Sequence, residues 1–357
     1  MSTRIHTFLE LAVNQGGSDL HLVSGQPPCI RIGGVLHRVR FRELSLEDVE
    51  QILLEFMNER QIADLNEKYA VDFAYESPEL GRFRVNVYRH ARGLAAALRV
   101  ISTEVPTLES LGMPSVIATQ TAQPKGLILV TGPTGSGKST TLAAMIDQLN
   151  STRHGHIITI EDPIEFVHPV KQCVITQREV GTHAPTFAEA LRNAVREDPD
   201  VILVGELRDL ESIQLALTAA ETGVQVLATL HTASACKTID RVINVFPARR
   251  QDQMRAMLAE SLRMIVSQRL VRASEGGKRF AVAEILVNTH AAASMIRTGN
   301  SHKLESVIQA GGSLGMQGFD AVLRDLVRKK LIDPEEAHIH ALDRSQFEGA
   351  APLRDAA

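Results

Sequence analysis

At roughly 150 residues per domain, a chain of 357 residues is long enough for two domains and for a core that needs no disulfide or metal staple. Hydrophobic residues at 44% and charged residues at 22% exclude wholesale disorder. The balance of 38 Lys and Arg against 42 Asp and Glu, formally -4, argues against a chain built mainly to coat nucleic acid or an acidic membrane surface.

In chain order, residues 5–15 (IHTFLELAVNQ) carry apolar side chains at helical spacing until Gly16-Gly17-Ser18 breaks the pattern. Asp19-Leu-His-Leu-Val23 and Cys29-Ile-Arg-Ile32 alternate like short strands around Pro27-Pro28. Ser45, with Asp48 three residues on, can open the helix LEDVEQILLEFM. Arg82–Tyr88 and Leu94–Ile101 alternate again. Strands interleaved with helices over residues 1–102 predict a small α+β domain, and 103–115, with Pro106, Gly112 and Pro114, reads as a linker. From about residue 116 the pattern changes. The apolar runs starting at Gly126, Ile157, Val201 and Val226 read as buried strands of a parallel sheet with helices between them. This α/β domain is expected to run to residue 342, helix-rich from about Pro247, with 343–357 a disordered tail.

Three scattered cysteines, Cys29, Cys173 and Cys236, offer no C-x-x-C and read as reduced thiols. No apolar run approaches the roughly 20 residues that cross a bilayer, and Glu10 interrupts the N-terminal apolar stretch, unlike a signal peptide. A cytoplasmic location is expected.

Gly132-Pro-Thr-Gly-Ser-Gly-Lys138-Ser139 fits G-x-x-x-x-G-K-[ST] directly after an apolar strand and directly before a helix. Such glycines let backbone N–H groups turn toward phosphates, and the helix N-terminus adds a field that favours anions. Gly132, Thr134, Gly135, Ser136, Gly137, Lys138, Ser139 and Thr140 are thus the expected nucleotide-binding residues. Lys138 would reach the β- and γ-phosphates of ATP and Ser139 would ligate Mg²⁺. Hydrolysis further needs a carboxylate at a neighbouring strand end, and two candidate clusters occur. One is Glu161-Asp162-Pro-Ile-Glu165. The other is Gly205-Glu206-Leu-Arg208-Asp209, where Gly205 stands in the place usual for an acidic magnesium ligand and Glu206 is left as the polarising base. His231, ending a fourth strand, falls at the sheet edge where open α/β folds bind ligands. It reads as a γ-phosphate sensor, against the alternative of a structural histidine.

Four motifs in this order, GPTGSGKST, ITIEDPIEF, DPDVILVGELRD and LATLHTASA, resemble the Walker A, Asp box, Walker B and His box of type II/IV secretion ATPases. With GGSDLHL, GRFRVN, ALTAAETG and GMQGFDAVL, the chain is similar to the PilT-type pilus retraction ATPases over about residues 5–342. The resemblance implies a PAS-like N-terminal domain joined to a RecA-like P-loop domain and a homohexameric ring with ATP between subunits. It further implies cycles of domain closure that remove pilin at the cytoplasmic face of an inner-membrane platform protein. It implies Glu206 as catalytic base, Glu161 and Glu165 as Asp-box residues ordering magnesium and water, with Glu161 near the metal, and Arg84 and Arg99 completing the nucleotide site.

Ala291-Ala-Ala-Ser-Met-Ile-Arg297-Thr-Gly299 keeps only an Ile-Arg pair of the PilT-type signature. Together with FPARRQDQ it also resembles the PilU-type accessory motors, which would make a paralogous pilus ATPase a further partner. Extension and type II secretion ATPases usually add an N-terminal domain and a four-cysteine zinc module, neither of which the sequence shows. A nucleic-acid-driven motor would need a basic groove or stacking aromatics, and aromatics are only 4% with no Trp, so no nucleic-acid partner is expected. A non-hydrolysing ATP-binding scaffold is the remaining alternative, and the presence of Glu206 and His231 gives no reason to prefer it.

Overall fold

In the computed structural model, which describes residues 4–101, 104–275 and 279–347, the chain packs as two units. One holds the residues up to Glu104 with Pro163–Val167, the other Val105–Asp162 with His168 onward.

The first unit runs α1 (Arg4–Asn14), β1 (Asp19–Val23), β2 (Cys29–Ile32), β3 (Val35–Arg38), α2 (Leu46–Leu54), α3 (Glu59–Lys68), β4 (Ala70–Ser77), β5 (Gly81–His90) and β6 (Gly93–Ile101). Its strands form an antiparallel sheet in the order β3-β2-β1-β6-β5-β4. Alternation decides which face is covered. Leu20 and Leu22 on β1 and Phe83, Val85 and Val87 on β5 are buried with Ile5 and Leu9 of α1 and Val49 and Leu53 of α2. Both of the helices after β3 start with reciprocal caps. Ser45 and Asp48 bond each other's backbone N–H, as the sequence predicts, and Asn58 and Gln61 do the same at α3. The result is an α+β unit.

The second unit runs α4 (Ser115–Thr121), β7 (Gly126–Thr131), α5 (Lys138–Thr152), β8 (His156–Glu161), β9 (Val174–Glu179), α6 (Phe187–Ala194), β10 (Val201–Val204), α7 (Leu210–Glu221) and β11 (Gln225–Leu230). It continues with α8 (Ala235–Asn244), α9 (Ala248–Ser261), β12 (Leu262–Arg272), β13 (Arg279–Val287), α10 (His290–Arg297), α11 (Leu304–Ala310), α12 (Phe319–Arg328) and α13 (Pro334–His340). The sheet order is β13-β12-β7-β11-β10-β8-β9, parallel throughout except for the β12–β13 pair. The strands predicted as buried apolar runs are buried over most of their length, and all six residues of β7 and of β11 are. Helices cover both faces. Leu127, Leu129, Ile202 and Ala228 pack toward α7 and α9, whereas Ile128, Val130 and Leu203 pack toward α5. The fold is the α/β class the sequence implies.

Two expectations need adjustment. The region after Pro247 is not simply helical, because β12 and β13 add an antiparallel arm to the sheet before α10 begins. Ser267 and Gln268 disguise β12 by placing polar side chains inside an apolar run, yet both are buried and hydrogen-bonded. The stretch expected as a tail begins with a 3-10 turn, Arg344–Phe347, whose Phe347 packs with Val271, Val282 and Phe319. Residues 348–357 of that stretch, like 102 at the end of the expected first domain and 103 at the start of the expected linker, lie outside the described residues. Among the described residues no helix is long and apolar enough to cross a membrane.

Candidate active site

The loop between β7 and α5 is built on glycine. Gly132, Gly135 and Gly137 have φ values of 146°, 77° and 85°, a region costly for residues with a Cβ. At Gly132 a Cβ would also lie 2.2 Å from the Gln268 carbonyl oxygen and 2.6 Å from Ser136 Oγ. The loop delivers the chain into α5 with Gly137 as N-cap and with no side chain capping the helix. The helix field at this N-terminus favours an anion. Lys138 is 9% exposed and folds back over the loop. Its Nζ donates to the carbonyl oxygens of Gly132 and Pro133, both at 3.0 Å, and lies 3.5 Å from His231 Nδ1.

The strand ends beside this loop carry the remaining polar groups. Parallel pairing sets Val204 beside both Ile160 and Ala228, and Leu230 beside Thr131, so the residues following β7, β8, β10 and β11 emerge along one edge. His231 Nε2 is 3.3 Å from Glu206 Oε1, and Arg208 reaches the other carboxylate oxygen at 2.8 Å and Asp162 at 4.0 Å. Lys138, His231, Glu206 and Arg208 thus form a continuous chain of side chains across the edge. The Gly205 N–H donates to the Ile160 carbonyl at 2.7 Å, and a Cβ at Gly205 would lie 3.3 Å from Glu161 Cα. The place where an acidic residue is usual is therefore crowded by the backbone of the adjacent strand, which ends in Glu161. Glu161 Oε1 accepts from Thr159 Oγ1 at 2.6 Å and from Gln177 Nε2 at 3.3 Å.

The other predicted residues distribute as follows. Ser139 and Thr140 sit half-buried in the first turn of α5, Thr134 and Gly135 are exposed at the loop tip, and Ser136 is buried with Oγ lacking a hydrogen-bond partner. Glu165 belongs to the segment that packs with the first unit. Arg84 and Arg99 face each other as direct partners on β5 and β6. Arg84 Nε lies 3.9 Å from Asp72 and Arg99 Nε donates to Asp19 at 2.9 Å. Burial alone would raise the Asp19 carboxyl, but Arg99 and the Ser18 hydroxyl hold it below the usual carboxylate range. Sequence reasoning assigned no role to Arg208, although it lies within the GELRD motif, and overlooked Gln268, which no motif marks.

Magnesium, a hard cation, takes oxygen ligands and keeps several from phosphate and water. The Ser139 hydroxyl and the Glu161 carboxylate supply that donor chemistry. Among the described residues no group of three or more His, Cys, Asp or Glu could cage a metal.

A phosphate loop at the edge of a parallel sheet, with a lysine, a histidine and a glutamate in line behind it, defines a P-loop ATPase. The chain belongs to the family described as type II/IV secretion system protein, whose model matches residues 1–328, and within it to the PilT-type ATPases. It is 51% identical over 333 residues to the type IV pilus retraction ATPase PilT of Pseudomonas aeruginosa, covering 93% of this chain and 96% of that one. It is 41% identical over 334 residues to the type IV pilus ATPase PilU of the same organism, covering 94% and 87%. The crystal structure of the pilus retraction motor PilT with bound ADP superposes with a TM-score of 0.90 at 41% identity, covering 97% of this chain and 99% of that one.

Proposed function

We propose that this chain is a subunit of a six-membered, ATP-driven ring that retracts type IV pili, working at the cytoplasmic face of the inner membrane against the pilus platform protein. The observation that carries the reading is the alignment of Lys138, His231 and Glu206 behind a glycine-built phosphate loop, in a chain half identical to a named retraction ATPase.

The chemistry follows from the placement. The loop amides and the α5 N-terminus take the phosphates, and Lys138 exchanges its two carbonyl partners for phosphate oxygens. Glu206 accepts a proton from the attacking water as the γ-phosphoryl group passes from ADP to that water. His231, 3.3 Å from Glu206 on one side and 3.5 Å from Lys138 on the other, couples the base to the γ-phosphate position. Ser139 and Glu161 would hold Mg²⁺, which would supply charge neutralisation at the phosphates. Arg84 and Arg99 add positive charge from a neighbouring subunit.

Glu206→Gln keeps the shape of the side chain and removes the base. The purified variant is expected to bind nucleotide within a few-fold of the parent while turnover falls by about 10²–10³. Unchanged turnover would remove Glu206 from its role. The accessory, PilU-type reading has two sequence features in its favour, the reduced Ile296-Arg297 signature in α10 and the FPARRQDQ segment, whereas overall identity favours the PilT type.

A further inference from the structure

The phosphate loop rests on a strand that lies far from it in sequence. Gln268, in the middle of β12, is 1% exposed, and both ends of its amide are engaged. Its Nε2 donates to the carbonyl oxygen of Ser136 at 2.7 Å, and its Oε1 accepts from Thr141 Oγ1 at 2.9 Å. Because acceptor and donor are both committed, the amide has a single orientation. The strand beneath it is equally fixed. β12 pairs with β7 through Ser267 and Thr131, whose hydroxyls are 2.8 Å apart, and with β13 through Gln268 and Ala283. The Gln268 carbonyl also occupies the space that a Cβ at Gly132 would need, and its Nε2 stands 3.2 Å from where a Cβ at Gly137 would be. One residue therefore braces both ends of the loop.

The consequence lies in the peptide unit that Gln268 holds. The Ser136 carbonyl and the Gly137 N–H belong to the same planar trans peptide and point in opposite directions. Drawing the carbonyl back onto β12 turns the Gly137 N–H outward, to the side on which the α5 N-terminus opens. We infer that Gln268 is a positioning residue for phosphate binding: through the Ser136 carbonyl it aims the Gly137 amide at the phosphates. This rests on the loop being the nucleotide site, and it adds a residue from the β12–β13 arm to the machinery of that site.

Two variants test it. Gln268→Leu cannot donate at any pH. Gln268→Glu preserves the shape and the acceptor for Thr141, but when ionised it opposes the Ser136 carbonyl with a negative oxygen, and when protonated it can donate to that carbonyl again. Burial raises a carboxyl pKa, so titration between about pH 9 and about pH 6 switches the bond within one folded protein.

ADP and ATP binding, measured by titration calorimetry for parent and variants at each pH, is expected to weaken about tenfold in Gln268→Leu. In Gln268→Glu, the ratio to the parent should be equally weak at the alkaline end and return toward one at the acid end. The phosphate is gripped in ground and transition states alike, so KM for ATP should rise while kcat changes by less than about threefold. Parent-like affinity in Gln268→Leu, or a weakened Gln268→Glu whose ratio ignores pH, would overturn the inference. A parent that binds neither nucleotide would instead overturn the reading of the loop itself.

Discussion

Gly132 shows how narrowly the site is specified at the level of one residue. An added methyl meets two obstacles at once, a backbone φ of 146° and an oxygen 2.2 Å away. That oxygen belongs to main chain in a sheet, which cannot swing aside as a flexible side chain would. Gly132→Ala is therefore expected to displace the loop and lower nucleotide affinity at least ~10-fold. Calorimetric titration with ADP checks this, and parent-like affinity would mean that the loop is far more pliable than its packing implies. Motif reading reaches residues that are consecutive in the chain, as in Gly132–Ser139 and Gly205–Asp209. It failed for Gln268, whose partners Ser136 and Thr141 lie more than a hundred positions away. Nothing in a lone glutamine within a strand signals such a bond.

Among the elements, the parallel strands were legible because burial on both faces leaves an unbroken apolar run. β12 carries the same kind of run but hides buried polar residues in it, and β4, with alternating polar positions such as Asp72 and Glu76, offered a weaker pattern. The segment between β8 and β9 yields a test of its own. His168 is 8% exposed, its Nδ1 has no hydrogen-bond partner, and burial, with Lys171 adding and Asp147 opposing, holds its pKa down to about 4. An unfolded histidine titrates near 6.5. As pH falls from 6.5 toward 4, the unfolded chain binds a proton that the folded chain refuses, so stability present above pH 6.5 is lost progressively, by on the order of 3 kcal/mol in full. Denaturant unfolding at pH 7 and pH 5 should show a smaller difference in His168→Leu than in the parent. Equal differences would show that His168 is not the group responsible.

For the whole molecule, the arginines proposed to complete the nucleotide site lie outside the P-loop unit. Arg84 and Arg99 are neighbours on one sheet, Arg99 tied to the buried Asp19 and Arg84 in a looser pair with Asp72. Such an exposed pair is worth little to stability, about 0–1 kcal/mol. Arg84→Ala should accordingly fold normally and bind nucleotide, yet lose most turnover if its charge is delivered to a neighbouring subunit's phosphates. Retained ATPase activity would sink that assignment.

The central claim, that hydrolysis at Glu206 drives retraction, is tested most directly by replacing the chromosomal gene with the Glu206→Gln allele and counting surface pili alongside surface motility. The account predicts excess pili with lost motility, because assembly continues while disassembly stops. Too few pili would contradict it and assign the motor to extension. Normal pilus numbers with weakened motility would also contradict it as stated, and would make this chain the accessory motor.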